Sequence, residues 1–366
     1  MLFSKYLSLL IAGLAAGSSS TAKPLPGWDV GRPQVDAGMR SLFAYYNGTD
    51  GRFDTTASWW LSGNALTAVL EYMDKTHSRR YMPQVLNTIE QQKKPLPWWP
   101  SGGGIFRADS TDDTGWWALA MLKMYDLTHD GKYLEYAVLD AEYLQSFQSS
   151  ACGGGIIWDI PSRTYKNAIS NELFLSLAAG LANRLPDAKQ RAKWQDVAKA
   201  QYSWFVQSGM INSASLINDG LTDACKNNAG VVWTYNQGVI LGGLVELYLA
   251  DRRKREYLDL ATKIARAVVS SSAFNSDGVL VESCEGAQKC NTDQDAFKGI
   301  FARNLDKLNR LTPGMPYTAY LKRQAASAYA KARNATDFYG VQWTGPVGQA
   351  NVGTQGSAMS LLVAAL

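Results

Sequence analysis

Histidine is nearly missing from this chain: His77 and His129 are the two among 366 residues. Both fall in segments read as short helix-to-helix turns, so a Ser-His-Asp triad or a histidine metal site lacks its parts. No charge of one sign dominates. Lys and Arg total 36 against 32 acids, a formal charge of +4, and the basic residues are scattered. The densest run, Arg252-Arg253-Lys254-Arg255, sits in another expected turn, where a solvated cluster is the default. Nucleic acid binding is not indicated. Past the first residues no apolar run approaches the roughly 18 residues a membrane span needs. Gly102-Gly103-Gly104 and Gly153-Gly154-Gly155 are not followed by Lys-Ser/Thr, which excludes a phosphate loop. Asp219, Asp223, Asp293 and Asp295 are too dispersed for an acidic calcium loop.

What is present begins with a leader. Lys5, the apolar stretch Leu7 to Ala16, and the small residues Ser20-Thr21-Ala22 before Lys23 read as a secretory signal over residues 1–22. Its removal takes one Lys and no acid, lowering the formal charge from +4 to +3. The expectation is an exported, extracellular protein with a single domain over residues 23–366. Four cysteines, Cys152, Cys225, Cys284 and Cys290, suit an oxidising compartment. They allow three pairings. The short closure Cys284–Cys290 is favoured, leaving Cys152–Cys225. Asn47-Gly48-Thr49 and Asn334-Ala335-Thr336 make Asn47 and Asn334 glycosylation acceptors on a eukaryotic secretory route.

The chain reads as nearly all helix, in paired units. One set of helices carries an aromatic and then a small or aliphatic residue four positions on: Tyr81 and Val85, Tyr133 and Ala137, Trp194 and Ala198, Tyr257 and Ala261. The stripe Tyr133, Leu134, Ala137, Val138, Ala141 and Leu144 has helical spacing. The other set starts with polar or aromatic clusters and then turns small and apolar on most faces, which belongs inside a structure. With an opening helix near 33–46, the two sets predict twelve helices. The Gly356-to-Leu366 segment lacks the polar spacer and long apolar tail of a lipid-anchor signal and reads as the twelfth. Turns at 128–131, 185–187 and 251–254 are tight, whereas 93–111, 148–166, 208–233, 272–292 and 334–353 are long and rich in Gly, Pro and Trp. This alternation gathers every long loop at one end, as in an (α/α)6 barrel whose cleft lies at the N-termini of the inner helices.

Into that mouth falls Thr111-Asp112-Asp113-Thr114-Gly115-Trp116. Two carboxyls at one point are the minimum for acid/nucleophile chemistry at a sugar bond. Ser110-Thr111-Asp112-Asp113 is equally a good helix start, acids facing the positive end of the dipole. Neighbouring side chains diverge by about 100° on a helix, so both acids reach one bond if one of them stands at the cap.

Thr111 to Trp117 resembles the signature of glycoside hydrolase family 76, the endo-α-1,6-mannanases and their fungal cell-wall relatives. Four more blocks resemble that family in the same order: Ser58 to Asn64, Lys166 to Glu172, Thr234 to Gly238, and Phe297 to Phe301. The resemblance covers essentially the whole mature chain. It implies a retaining, endo-acting hydrolase of α-1,6-linked mannan or mannooligosaccharide, monomeric and without a cofactor, with Asp112 as nucleophile and Asp113 as acid/base. Repulsion between two close carboxylates raises one pKa and supplies the needed asymmetry. Substrate contacts are expected from Trp60, Asn64, Trp99, Trp117, Asn171, Glu172, Tyr235, Asn236, Gln237 and Lys298; Trp98 shares the long-loop position of Trp99, while Trp59 reads as core. The tryptophans offer stacking faces or core filling, and the amides offer hydroxyl partners or helix caps.

Three alternatives share this pattern in part. A cell-wall transglycosylase would use the same Asp pair with a sugar in place of water. A mannan-binding protein would have lost catalysis, against which the intact pair speaks. A polysaccharide lyase would need basic residues at the mouth, where acids and amides stand instead.

Overall fold

The computed structural model describes residues 30–251, 254–287 and 289–366. The leader at 1–22 and the pair Arg252-Arg253 lie outside the described residues. Among the described residues there are twelve α-helices: α1 Arg32–Leu42, α2 Trp59–Thr76, α3 Met82–Gln92, α4 Thr111–Thr128, α5 Gly131–Gln145, α6 Ala168–Arg184, α7 Ala188–Gln207, α8 Thr234–Ala250, α9 Glu256–Val269, α10 Phe297–Leu311, α11 Thr318–Lys331 and α12 Val352–Ala365. Two small antiparallel hairpins, Tyr46–Asn47 with Arg52–Phe53 and Asn275–Ser276 with Val279–Leu280, add the β-structure that helical periodicity does not reveal.

The even-numbered helices pack in sequence, α2 on α4 through to α12, and α12 closes the ring against α2. The odd-numbered helices lie outside them, completing an all-α (α/α)6 barrel. Burial follows this split. Every residue of α6 from Ala168 to Ala182 is buried, whereas α9 buries one stripe, Tyr257, Ala261, Ile264, Ala265 and Val268. Close approach of inner helices depends on glycine: a Cβ on Gly238 would lie 2.5 Å from the Phe301 Cα, and one on Gly299 2.4 Å from the Ser357 Cα. Those two contacts explain why Gly follows Gln237 and Lys298.

Tight turns sit at the inner helices' C-termini. His77 and His129 end α2 and α4 in the left-handed conformation, with φ of 54° and 56°. Histidine tolerates that region better than bulky residues do, so both act as helix terminators at the closed end. Cys152–Cys225 and Cys284–Cys290 are both bonded, with Cα separations of 5.1 and 4.9 Å.

Long loops return to the inner helices through a repeated device. The fourth residue of five inner helices is polar and accepts a backbone N–H from the loop in front of it. Ser62 takes Phe53 N at 2.9 Å, Thr114 takes Ala108 N at 3.0 Å, Asn171 takes Ile156 N at 2.9 Å, Gln237 takes Ile217 N at 2.8 Å and Gln355 takes Tyr339 N at 2.9 Å. Ser62, Asn171 and Gln237 also donate to the carbonyl of the same loop residue. Buried backbone groups need such partners, and the helix starts supply them. In α10 the fourth residue is Ile300, and Lys298 does the work instead, donating to Val341 O at 2.7 Å and pairing with Glu285 at 2.6 Å.

Candidate active site

The start of α4 is fixed from three sides. Thr111 donates its hydroxyl to Ile157 O at 2.7 Å, its Oγ1 also meets the Ser170 hydroxyl at 2.9 Å, and its N–H goes to Trp158 O at 3.0 Å. Ser110, extended at φ −124° and ψ 147°, is the N-cap. Asp112 and Asp113 are therefore the second and third helical residues, both in the first turn with neither at the cap, and they are close enough that the charge of Asp112 acts on Asp113. First-turn N–H groups have no carbonyl four residues back. The Asp112 carboxylate folds over them, its Oδ1 accepting Asp113 N at 3.1 Å and the Trp158 indole N–H at 2.9 Å.

The two carboxyls are partly buried and differ in charge tendency. Loss of hydration raises Asp112 to about 6, opposed by hydrogen bonds from Ser110, Asp113 N and Trp158. Asp113 is pushed well above the carboxylate range by burial and then by the charges of Asp112, Asp109 and Asp293. Near neutral pH the favoured state is one ionised carboxylate, Asp112, beside one protonated acid, Asp113.

Beside the acids stands a ring of aromatics from the N-terminal turns of four inner helices. Trp60 stacks on Trp116 at 5.5 Å, Trp116 on Tyr235 at 6.4 Å, Tyr235 on Phe297 at 3.8 Å, and Phe297 meets Trp60 at 6.4 Å. Trp60 Nε1 donates to Asp293 Oδ1 at 2.8 Å, tying the layer to the acidic rim. Tyr235 is held above the ordinary phenol range by burial and by the Asp112 charge, which places its hydroxyl in the field of the pair. At the rim Trp98 and Trp158 are 48% and 39% exposed, wide faces of the kind pyranose rings stack on.

The expected substrate contacts divide. Trp60 and Tyr235 belong to the aromatic layer, and Trp99, partly buried, ties its indole to Tyr143 Oη at 3.2 Å in the rim loop. Glu172 and Asn236 are fully buried, with neither carboxylate oxygen nor either amide atom hydrogen-bonded; burial raises Glu172 well above the carboxylate range. The others have partners within the fold. Trp117 has no exposed surface and is stacked between Trp59 and Phe106. Trp59 is core, as expected. Asn64 lies beneath the aromatic layer and accepts Arg303 Nη2 at 2.6 Å. Asn171 and Gln237 spend their amides on loop backbone, and Lys298, 1% exposed, is committed to Glu285 and the Trp343 ring. Gly153 to Gly155 turn the chain over Trp204, where a Cβ on Gly155 would lie 2.4 Å from the indole. Lys166 caps that turn, donating to the carbonyls of Ser149, Ala151 and Gly154. Asn47 and Asn334 each use Oδ1 to accept backbone N–H groups in exposed turns.

Sequence reasoning missed Trp158, Asp109 and Asp293 as companions of the pair. The backbone bridges Ser110 to Asp159 and Asp159 to Thr164 fold the 148–166 loop onto the start of α4 and deliver Trp158 to Asp112. A tryptophan next to Asp159 in a long loop beside the Asp pair was the available signal.

Residues 34–366 match the profile of glycosyl hydrolase family 76. The mannan endo-1,6-alpha-mannosidase DFG5 of Saccharomyces cerevisiae is 28% identical over 353 residues, which cover 90% of this chain and 75% of that one. Among solved structures, Dfg5 from Chaetomium thermophilum in complex with glucosamine superposes with a TM-score of 0.80 at 18% identity, covering 90% of this chain and 88% of that one. An inactive variant of the alpha-1,6-mannanase of Salegentibacter sp. HEL1_6, bound to alpha-1,6-mannotetrose, gives 0.77 at 23% identity over 91% and 98% of the two chains. No helix among the described residues is long and apolar enough to cross a membrane.

Proposed function

This chain belongs to glycosyl hydrolase family 76, and from that premise we propose that it is an exported, single-domain enzyme that cleaves α-1,6-mannosidic bonds inside mannan chains with retention. The observation that carries the reading is the asymmetric Asp112/Asp113 pair beside an aromatic ring at the N-termini of the inner helices. It is the sequence's one Asp-Asp pair, and the inactive Salegentibacter variant has two consecutive aspartates replaced.

Asp112 Oδ1 is held by Trp158 and Asp113 N, which leaves Oδ2 to attack the anomeric carbon. As that bond forms, the glycosidic C–O bond breaks and Asp113 gives its proton to the departing oxygen. Asp113, now ionised, takes a proton from a water that attacks the glycosyl ester on Asp112 and frees the sugar. Asp109 and Asp293 favour return of the proton to Asp113. Two disulfides accord with an oxidising compartment.

Mass spectrometry of products from a defined α-1,6-mannooligosaccharide tests the reading. Shorter products with the α-anomer formed first in the NMR time course are expected. Products longer than the starting sugar would replace water by a sugar acceptor; an untouched substrate would overturn the assignment.

A further inference from the structure

Beneath the aromatic layer the barrel is hollow. A cavity of about 290 Å³ runs from Trp116 toward the closed end. That is several times the roughly 30 Å³ a water occupies in the liquid. At the closed end the charged residues pair among themselves: Lys123 with Asp74 at 2.6 Å, Arg184 with Asp126 at 2.7 Å and with Glu246 at 2.8 Å, Lys75 with Asp306 at 3.5 Å. These cations also meet the negative ends of the inner helices, Lys75 donating to Ala364 O and Arg184 to Gly180 O.

Three charged groups lining the cavity make no ion pair among the described residues: Glu71, Arg303 and Lys307. Arg303 and Lys307 stand one turn apart on α10, a like-charge i, i+4 pair that is unfavourable even on an exposed helix. Arg303 donates one hydrogen bond, to Asn64, and its guanidinium lies 5.7 Å from the Trp116 ring. Both cations feel the Glu71 carboxylate, and Lys307 also feels Glu246, but neither acid approaches them within salt-bridge distance. Glu246 is already bonded to Arg184, so Glu71 is the one unpaired carboxylate beside two unpaired cations, which leaves a positive surplus inside a ligand-sized space.

We propose that this cavity is a second site, separate from the cleft, that takes a small oxyanion between Arg303 and Lys307. A guanidinium fork matches two oxygens of such an anion, and an ammonium adds a point charge. The bound anion neutralises the surplus that Glu71 leaves. The aromatic layer of Trp60, Trp116, Tyr235 and Phe297 divides it from the acids at the mouth, which repel anions.

The probe is inorganic phosphate, titrated into the full chain by calorimetry, with sodium chloride at matched ionic strength as reference. One saturable site per chain is expected, weakened about tenfold or more in Lys307→Met, which removes a charge-assisted contact. Glu71→Gln removes the competing carboxylate and should tighten phosphate, so a variant of opposite sign remains if Lys307→Met folds poorly. Cleavage of mannooligosaccharide by Lys307→Met should match the parent, and the binding readout does not depend on that activity. The inference is overturned by no saturable phosphate binding up to tens of millimolar, by equal affinity in both variants, or by displacement of phosphate by mannooligosaccharide, which would put the anion in the cleft.

Discussion

The indole of Trp158 donates to Asp112 Oδ1 at 2.9 Å across 46 residues of sequence. That contact opposes the rise burial imposes on Asp112, so it keeps this carboxylate ionised toward lower pH. Trp158→Phe removes the N–H and keeps most of the ring. The Asp112 pKa should then rise and the acid limb of kcat/KM should move up by roughly half to one pH unit, the worth of a partly solvated charged hydrogen bond. KM should change little in Trp158→Phe and more in Trp158→Ala, where the exposed face is lost as well. An acid limb unmoved in Trp158→Phe would show that the indole does not tune the pair.

The pair predicts a bell-shaped profile. The proposed roles need Asp112 ionised and Asp113 protonated, so kcat/KM should fall below about pH 6 and again as Asp113 loses its proton. The two limbs belong to the pair and not to either residue alone. Asp293 raises Asp113 through its charge. Asp293→Asn should therefore lower the alkaline limb while keeping an oxygen for Trp60 Nε1. A limb that stays in place or climbs would exclude that charge effect.

Asp112→Asn and Asp113→Asn should each cut kcat by about 10²–10⁴ or more, the range positioned acid and base groups supply, with circular dichroism unchanged. Since burial disfavours charge at both positions, the amides should fold at least as stably as the parent. Near-normal turnover in either variant would break the assigned roles.

The two disulfides should differ in weight. Cys152–Cys225 closes 73 residues and joins the loops before α6 and α8, while Cys284–Cys290 closes 6. Chain entropy assigns about 4 kcal/mol to the first and about 2 kcal/mol to the second. Unfolding midpoints of Cys152→Ser/Cys225→Ser and Cys284→Ser/Cys290→Ser should rank in that order, and the reverse ranking would refute the entropic account.

The barrel was legible because its signals are local. Helix stripes, tight turns at His77 and His129, and a polar helix start after each long loop follow from spacing alone. The roles of the amides were not, because an amide that clamps a loop and one that binds a hydroxyl have the same donors and acceptors. What decides is which backbone group folds back onto it, as Ile156 does on Asn171 and Ile217 on Gln237. Lys298 is of the same kind: its partner Glu285 arrives from a loop whose path leaves no periodic trace. The Asp pair is visible by type and adjacency, with Asp109 three residues before it, whereas Trp158 and Asp293 reach it through the folding of separate segments.

Gln237 separates the two kinds of role. Its Oε1 accepts Ile217 N at 2.8 Å and its Nε2 donates to Ile217 O at 2.9 Å, all buried. Gln237→Ala strands both backbone groups of Ile217 away from water, at a cost of about 1–3 kcal/mol for each unsatisfied group. The expected result is a clear drop in the unfolding midpoint, with the folded fraction still binding mannooligosaccharide at close to parental affinity in an Asp113→Asn background. A sugar contact would give the opposite pattern, weak binding at parental stability. Because the clamp holds the 208–233 loop at the mouth, kcat should fall more than affinity if Ile217 shifts the rim, and Gln237→Glu should not rescue it, since a carboxylate can accept from Ile217 N but cannot donate to Ile217 O.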